Sequence, residues 1–212
     1  MAAECVAAGA DELLVRAGVA VSLPQMELLG RLGARLPIPL IARVGSAGVD
    51  TLAALLAEGV GRVVIEGAAL ADPDLIARLA GRFGMESVAV AVTARPVAGG
   101  WRVIAGRGGA GTEWDAVDWA RVIEAQGGGE LVLEAADPRA GSIDLDLLAA
   151  VTAAVGRPVL ATVRADALED GIDALLIGDA DGVVLEGAPD SLAAGVRQLK
   201  RLAAEHGLPI RG

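Results

Sequence analysis

Val63-Val64-Ile65-Glu66-Gly67 returns about 120 residues later as Val183-Val184-Leu185-Glu186-Gly187. The repeat extends in the N-terminal direction. Pro39-Leu40-Ile41-Ala42 returns as Pro158-Val159-Leu160-Ala161, and Glu12-Leu13-Leu14-Val15 as Glu130-Leu131-Val132-Leu133, with an offset of about 118 to 120 residues throughout. Each repeated stretch is a short apolar run rich in β-branched residues. Most of the longer segments between runs carry apolar residues at three- and four-residue spacing, the signature of a strand–helix alternation. Runs such as Val63-Val64-Ile65 are apolar on both alternating sets, as expected when helices cover one face of a parallel sheet and a barrel interior fills the other. Two similar half-barrels in one chain predict a TIM-type (βα) barrel rather than an open doubly wound sheet, and no Gly-x-Gly-x-x-Gly follows a first strand.

The strands are predicted at Glu12–Arg16, Pro39–Arg43, Arg62–Glu66, Val88–Thr93, Glu130–Glu134, Pro158–Thr162 and Gly182–Glu186, about seven in all and parallel. Helical stripes run through Leu52, Leu55 and Leu56, through Leu75, Ile76, Leu79 and Phe83, through Trp119, Val122 and Ile123, and through Leu192, Val196, Leu199 and Leu202. Asp72-Pro73 predicts a cap followed by a proline at the first helical position. The glycine-rich segment Arg95–Gly111 breaks the rhythm and reads as a long loop or hairpin, with Trp101 its exposed aromatic. Residues 1–212 are expected to form a single domain.

The net charge of −10 comes without any block of lysine or arginine. That argues against nucleic acid and against an anionic membrane surface as partners. The N-terminal residues carry no basic and apolar leader pattern, so a cytoplasmic protein is expected. Cys5 is the single cysteine and His206 the single histidine. They read as a small packing residue and a helix-end residue, which leaves neither disulfide nor imidazole chemistry.

The stretches Gly9-Ala10-Asp11-Glu12-Leu13, Asp72-Pro73-Asp74-Leu75-Ile76, Thr112-Glu113-Trp114-Asp115-Ala116-Val117-Asp118-Trp119-Ala120 and Gly127-Gly128-Gly129-Glu130-Leu131 resemble the histidine-biosynthesis barrel family. Within it they resemble the cyclase subunit of imidazole glycerol phosphate synthase, from about residue 3 to residue 210. The resemblance implies a barrel that closes the imidazole ring of a bis-phosphorylated nucleotide, with ammonia delivered through the barrel from a glutaminase partner. It also implies acid and base chemistry by aspartates at the ends of the family's first and fifth strands.

The chain departs from that pattern. It opens inside what the family has as its first helix, so the barrel is expected to lack the first strand and the aspartate on it. The fifth-strand aspartate position holds Thr93, and a neutral hydroxyl is no general base near neutral pH without an activating partner. A later aspartate position holds Arg139, which cannot be deprotonated, while Asp137 keeps a nearby family acid. The family's glycine phosphate loops read Arg43-Val44-Gly45 and Thr162-Val163-Arg164, and two further strands that normally end on small or amide side chains end on Glu66 and Glu186. A carboxylate 4 Å from a phosphate charge costs roughly 1 kcal/mol in water and about 4 kcal/mol at an intermediate dielectric.

Arg16, Arg43, Glu66, Thr93, Glu134, Asp137, Arg164 and Glu186 are therefore the candidate residues of the barrel mouth. The preferred reading pairs the ions across the mouth. A repurposed polar pocket is the second reading, and a metal held by the three glutamates the third and weakest, so neither metal nor cofactor is expected. The functional expectation is a cyclase-like barrel that has lost ring closure and serves in binding or scaffolding. The alternatives are the ring-closing cyclase itself and an enzyme of changed chemistry on a small polar substrate. A glutaminase is the partner the resemblance implies. A homo-oligomer is expected through the open edges of strands Glu12–Arg16 and Gly182–Glu186.

Overall fold

The β-branched runs become strands because each is bounded by a residue that stops the ladder. The run at Leu131 shows this well. Gly127 takes φ +86°, and a Cβ on Gly129 would lie 2.1 Å from the Met85 carbonyl oxygen, so this glycine triplet brings the chain tightly under the neighbouring strand. The structure, a computed structural model, describes residues 1–18, 21–45, 47–106, 108–136 and 143–210. Its strands are β1 (Leu13–Arg16), β2 (Leu40–Val44), β3 (Arg62–Ile65), β4 (Val88–Val97), β5 (Gly100–Ile104), β6 (Gly111–Asp115), β7 (Glu130–Ala135), β8 (Val159–Arg164) and β9 (Gly182–Glu186). Helices α1 (Ala2–Ala7), α2 (Leu23–Gly33), α3 (Val49–Ala57), α4 (Gly67–Ala71), α5 (Asp74–Phe83), α6 (Ala116–Ala125), α7 (Leu145–Thr152), α8 (Leu168–Leu176) and α9 (Pro189–Glu205) alternate with them.

Seven strands pair in parallel in the order β1-β2-β3-β4-β7-β8-β9, with a helix covering each crossover. This is the TIM-type barrel expected, and all seven predicted strands are present. The segment Arg95–Gly111 is more ordered than a loop. β4 runs on to Val97 and turns into antiparallel β5, which pairs in turn with β6, so the barrel sheet carries an upright three-stranded flap. Trp101, expected to be exposed, is half-buried, and its indole N–H donates to Asp144 Oδ2 at 2.7 Å, tying the flap to the start of α7. α5 begins at Asp74 with Pro73 as the cap position, one residue later than predicted, and Asp72 instead pairs with Arg78.

Burial falls into two layers. The larger core lies between sheet and helices, around Trp119, Ile76, Leu79, Ile123 and Leu148. A second, small cluster lies inside the barrel and consists of Ile41, Val64, Ala89, Ala91 and Val132, with Leu14 and Val184 against it. Among the described residues β1 and β9 exchange no backbone hydrogen bond. α1 packs on α9 across that seam, and Lys200 of α9 reaches Asp11 at 3.2 Å.

Candidate active site at the barrel mouth

Strand alternation sends every second side chain to the barrel axis. Along β1, β3 and β7, taken with the residues that flank them, the inward set has the same order: charge, apolar residue, charge. Glu12, Leu14 and Arg16 form one column, Arg62, Val64 and Glu66 the next, and Glu130, Val132 and Glu134 the third. Stacked side by side they make an ionic layer at each end of the barrel with the small apolar cluster between.

The upper layer is the predicted mouth. Arg43, from β2, is the hub: its guanidinium grips both oxygens of Glu134, with Nη2 at 2.8 Å from Oε2, and the same Nη2 donates to Glu66 Oε2 at 2.9 Å. Arg16 donates to Glu134 at 3.1 Å and closes on Glu186 as well. The Thr93 hydroxyl donates to Glu66 Oε1 at 3.2 Å. The Glu134 side chain is 1% exposed and that of Arg43 6%, so these charges are neutralised by each other rather than by water. Burial alone would lower the Arg43 pKa, but hydrogen bonds and charge from Glu134 and then Glu66 outweigh it and hold the group above its ordinary value. Arg164 is half-exposed and is forked onto Asp166, with Nε at 2.7 Å from Oδ1. Asp166 is held below the usual carboxylate range, first by that hydrogen bond. The predicted residues Arg16, Arg43, Glu66, Thr93, Glu134 and Glu186 are thus brought together, and Arg164 points to its own loop. Asp137 and Arg139 lie outside the described residues.

The lower layer was not anticipated. Arg62 spans the foot of the barrel, its Nη1 3.2 Å from Glu12 and 2.8 Å from Glu130, while its Nε donates to the Glu86 carbonyl. One guanidinium thus serves two carboxylates from strands on either side of it. Burial pushes the Glu130 carboxyl up to about 7; Arg62 opposes the shift, and the charges of Glu12 and Asp181 add to it. Among the described residues no group of three or more His, Cys, Asp or Glu is placed to hold a metal, and no helix is long and apolar enough to cross a membrane.

A pH dependence follows from Glu130. Folded, the carboxyl keeps its proton up to about pH 7; unfolded, it loses it near 4.5. Between those values the native state binds more protons than the unfolded chain, so stability falls as pH rises through the window. The difference is on the order of 3 kcal/mol. Urea unfolding at pH 5 and pH 8 should show Glu130→Gln losing less stability than the parent chain over this interval. Equal losses in both proteins would mean that Glu130 is ionised throughout.

The family model described as histidine biosynthesis protein matches residues 1–187. The chain is 34% identical over 216 residues to imidazole glycerol phosphate synthase subunit HisF of Acidobacterium capsulatum, an alignment covering 100% of this chain and 85% of that protein. It is 34% identical to the subunit of the same name from Hyphomonas neptunium, covering 97% of this chain and 83% of the relative. Against that of Dehalococcoides mccartyi strain BAV1 the figures are 31% identity, 96% and 82%.

Proposed function

The chain belongs to the histidine biosynthesis protein family, as a cyclase-like barrel, and from that premise we propose that it is the barrel subunit of a glutaminase-coupled cyclase of the imidazole glycerol phosphate synthase kind. The observation that carries the reading is the foot of the barrel. There the Glu12–Arg62–Glu130 layer lies on the axis, at the end opposite the mouth. Met85, Leu176 and Ile177, which precede β4 and β9 at the same end, are large apolar side chains left 41%, 50% and 61% exposed. A polar throat with an exposed apolar rim is the surface that a protein feeding ammonia into the barrel requires. Ring closure in this mouth would fall to the carboxylates of Glu66 and Glu134, the acid–base groups nearest Thr93.

A second reading, in which the barrel docks its partner but no longer closes the ring, is favoured by the buried Arg43–Glu134 pair. Its charges are already mutually satisfied, and Thr93 offers no base. Under that reading ribulose 5-phosphate should bind no tighter than the millimolar range. The deciding experiment is complementation of a histidine auxotroph lacking the cyclase, with the glutaminase subunit co-expressed and tagged. Growth without histidine supports ring closure. Failure to grow with the tagged glutaminase still recovering the barrel supports the second reading, and failure of both sinks the pairing itself.

A further inference from the structure

The flap has two unlike faces. Residues of β4 alternate, so Ala94 joins the core under the helices while Ala91 and Thr93 turn to the barrel axis. Arg95 continues the axial set, ~7 Å beyond Thr93 at ~3.4 Å per residue. Across the β4–β5 ladder it stands directly opposite Arg102, as Ala94 stands opposite Val103. Trp101, Val103 and Trp114 lie on the core side of the flap. The other side carries Arg95, Arg102, Gly111 and Glu113 and overhangs the mouth. Its base reaches the mouth directly: a Cβ on Gly106, just past β5, would lie 3.8 Å from Glu66 Oε1.

Like charges directly opposite each other on neighbouring strands are unfavourable. These two nevertheless converge. A Cβ on Gly111 would lie 3.1 Å from Arg95 Nη2 and 3.6 Å from Arg102 Cγ, so both arginines close over a residue that has no side chain of its own. Arg102 also donates to the Glu113 carbonyl, which fixes its guanidinium. Among the described residues neither arginine makes an ion pair, whereas Arg16, Arg43 and Arg164 at the strand ends each hold a carboxylate. Asp115 is level with Arg102 but is turned to α6 as its cap, which leaves Glu113 as the carboxylate on this face.

A net charge of −10 repels anions from the molecule as a whole, so any attraction here is local to the two guanidiniums. Their planar forks suit a group that presents several acceptor oxygens. A phosphomonoester dianion matches the pair in charge, and a carboxylate matches only half of it. We infer that Arg95 and Arg102 form an oxyanion site on the flap, which takes the phosphate end of a small phosphomonoester and leaves its uncharged end over Thr93 and Glu66. The site is separate from the strand ends that carry Glu66 and Glu186. It also stands whether or not the barrel closes a ring, so failure to complement the histidine auxotroph leaves it untouched.

The probe is glycerol 3-phosphate, titrated into the full chain at constant ionic strength while the arginine Nε–H signals are followed by NMR. The Arg95 and Arg102 signals should shift together and saturate, and glycerol should move neither. Arg95→Gln and Arg102→Gln should each weaken binding about tenfold, the loss of one charge-assisted contact. Arg197→Gln removes the same charge from the exposed side of α9 and should leave the affinity unchanged. Gly111→Val keeps every charge but fills the space beside Arg95 Nη2, so it should weaken binding too, and Glu113→Gln should strengthen it. Arg95 is exposed and outside the core, so its variant reads the site even if Arg102→Gln disturbs the flap. Three results would each overturn the inference: no saturable shift at the two arginines, equal weakening by Arg197→Gln, or an unchanged affinity in Arg95→Gln.

Discussion

Arg43→Met should lower the stability of the fold by about 3–5 kcal/mol, the usual cost of removing one partner from a buried ion pair. The reason is what the substitution leaves behind. Glu134, its side chain 1% exposed, loses both hydrogen bonds from Arg43, and Glu66 loses its only arginine among the described contacts. Arg16 reaches Glu134 but is itself shared with Glu186, so it offsets only part of the loss. For a domain of this size each 1 kcal/mol lowers Tm by roughly 2–4 °C, so thermal melts read the effect easily. The companion test is Arg43→Met with Glu134→Leu, in which the charge is removed along with its partner. That double variant should recover most of the loss, because a well-packed apolar pair often equals or exceeds a buried ion pair. A single variant that costs under about 1 kcal/mol would mean that water reaches Glu134.

Trp119→Ala should be comparably damaging, at about 3–5 kcal/mol. Trp119 is fully buried and is the largest such side chain in the core between α6 and the sheet. Its ring lies 5.0 Å from that of Trp114, inclined at 44°, so truncation opens a cavity and strips β6 of its aromatic contact with the helix that follows. Trp119→Phe keeps part of the ring and should cost clearly less. Urea midpoints with unchanged slopes are the measurement. Equal losses for alanine and phenylalanine would show that the site tolerates no change of shape at all, and the cavity argument would fail.

The fold was legible because its signals are local and repeated. Val63-Val64-Ile65 and Val183-Val184-Leu185 need no tertiary information to read as buried strands, and the offset between them carries the half-barrel. The flap was less so. Trp101-Arg102-Val103 lies between glycines that look like a loop, and Trp114, five residues before Trp119, sits in β6 while its partner lies in α6. Its pairing depends on β4 overrunning the barrel to Val97, which the sequence marks only weakly. At the mouth, charge at strand ends pointed to residues most of which the fold does bring together, but which arginine takes which glutamate is settled by register: Thr93 is level with Glu134 across β4 and β7, and Arg43 reaches both Glu66 and Glu134. The lower layer was present in the sequence as the recurring order charge, apolar residue, charge in three strands. Reading only strand C-terminal ends passes over it, because Glu12, Arg62 and Glu130 stand where the strands begin.

Arg16 and Glu134 are 118 residues apart, the spacing of the internal repeat, so they are one position seen twice, with opposite charge. Glu12 and Glu130 are another such position, unchanged in sign, and both rely on Arg62, whose own counterpart is the side-chain-free Gly182. For a doubled ancestor this is loss of interchangeability. Two first halves would set Arg16 against Arg16, and two second halves Glu134 against Glu134; only the unlike union neutralises the mouth. The duplicated unit has become two dialects of one sequence, each intelligible only to the other.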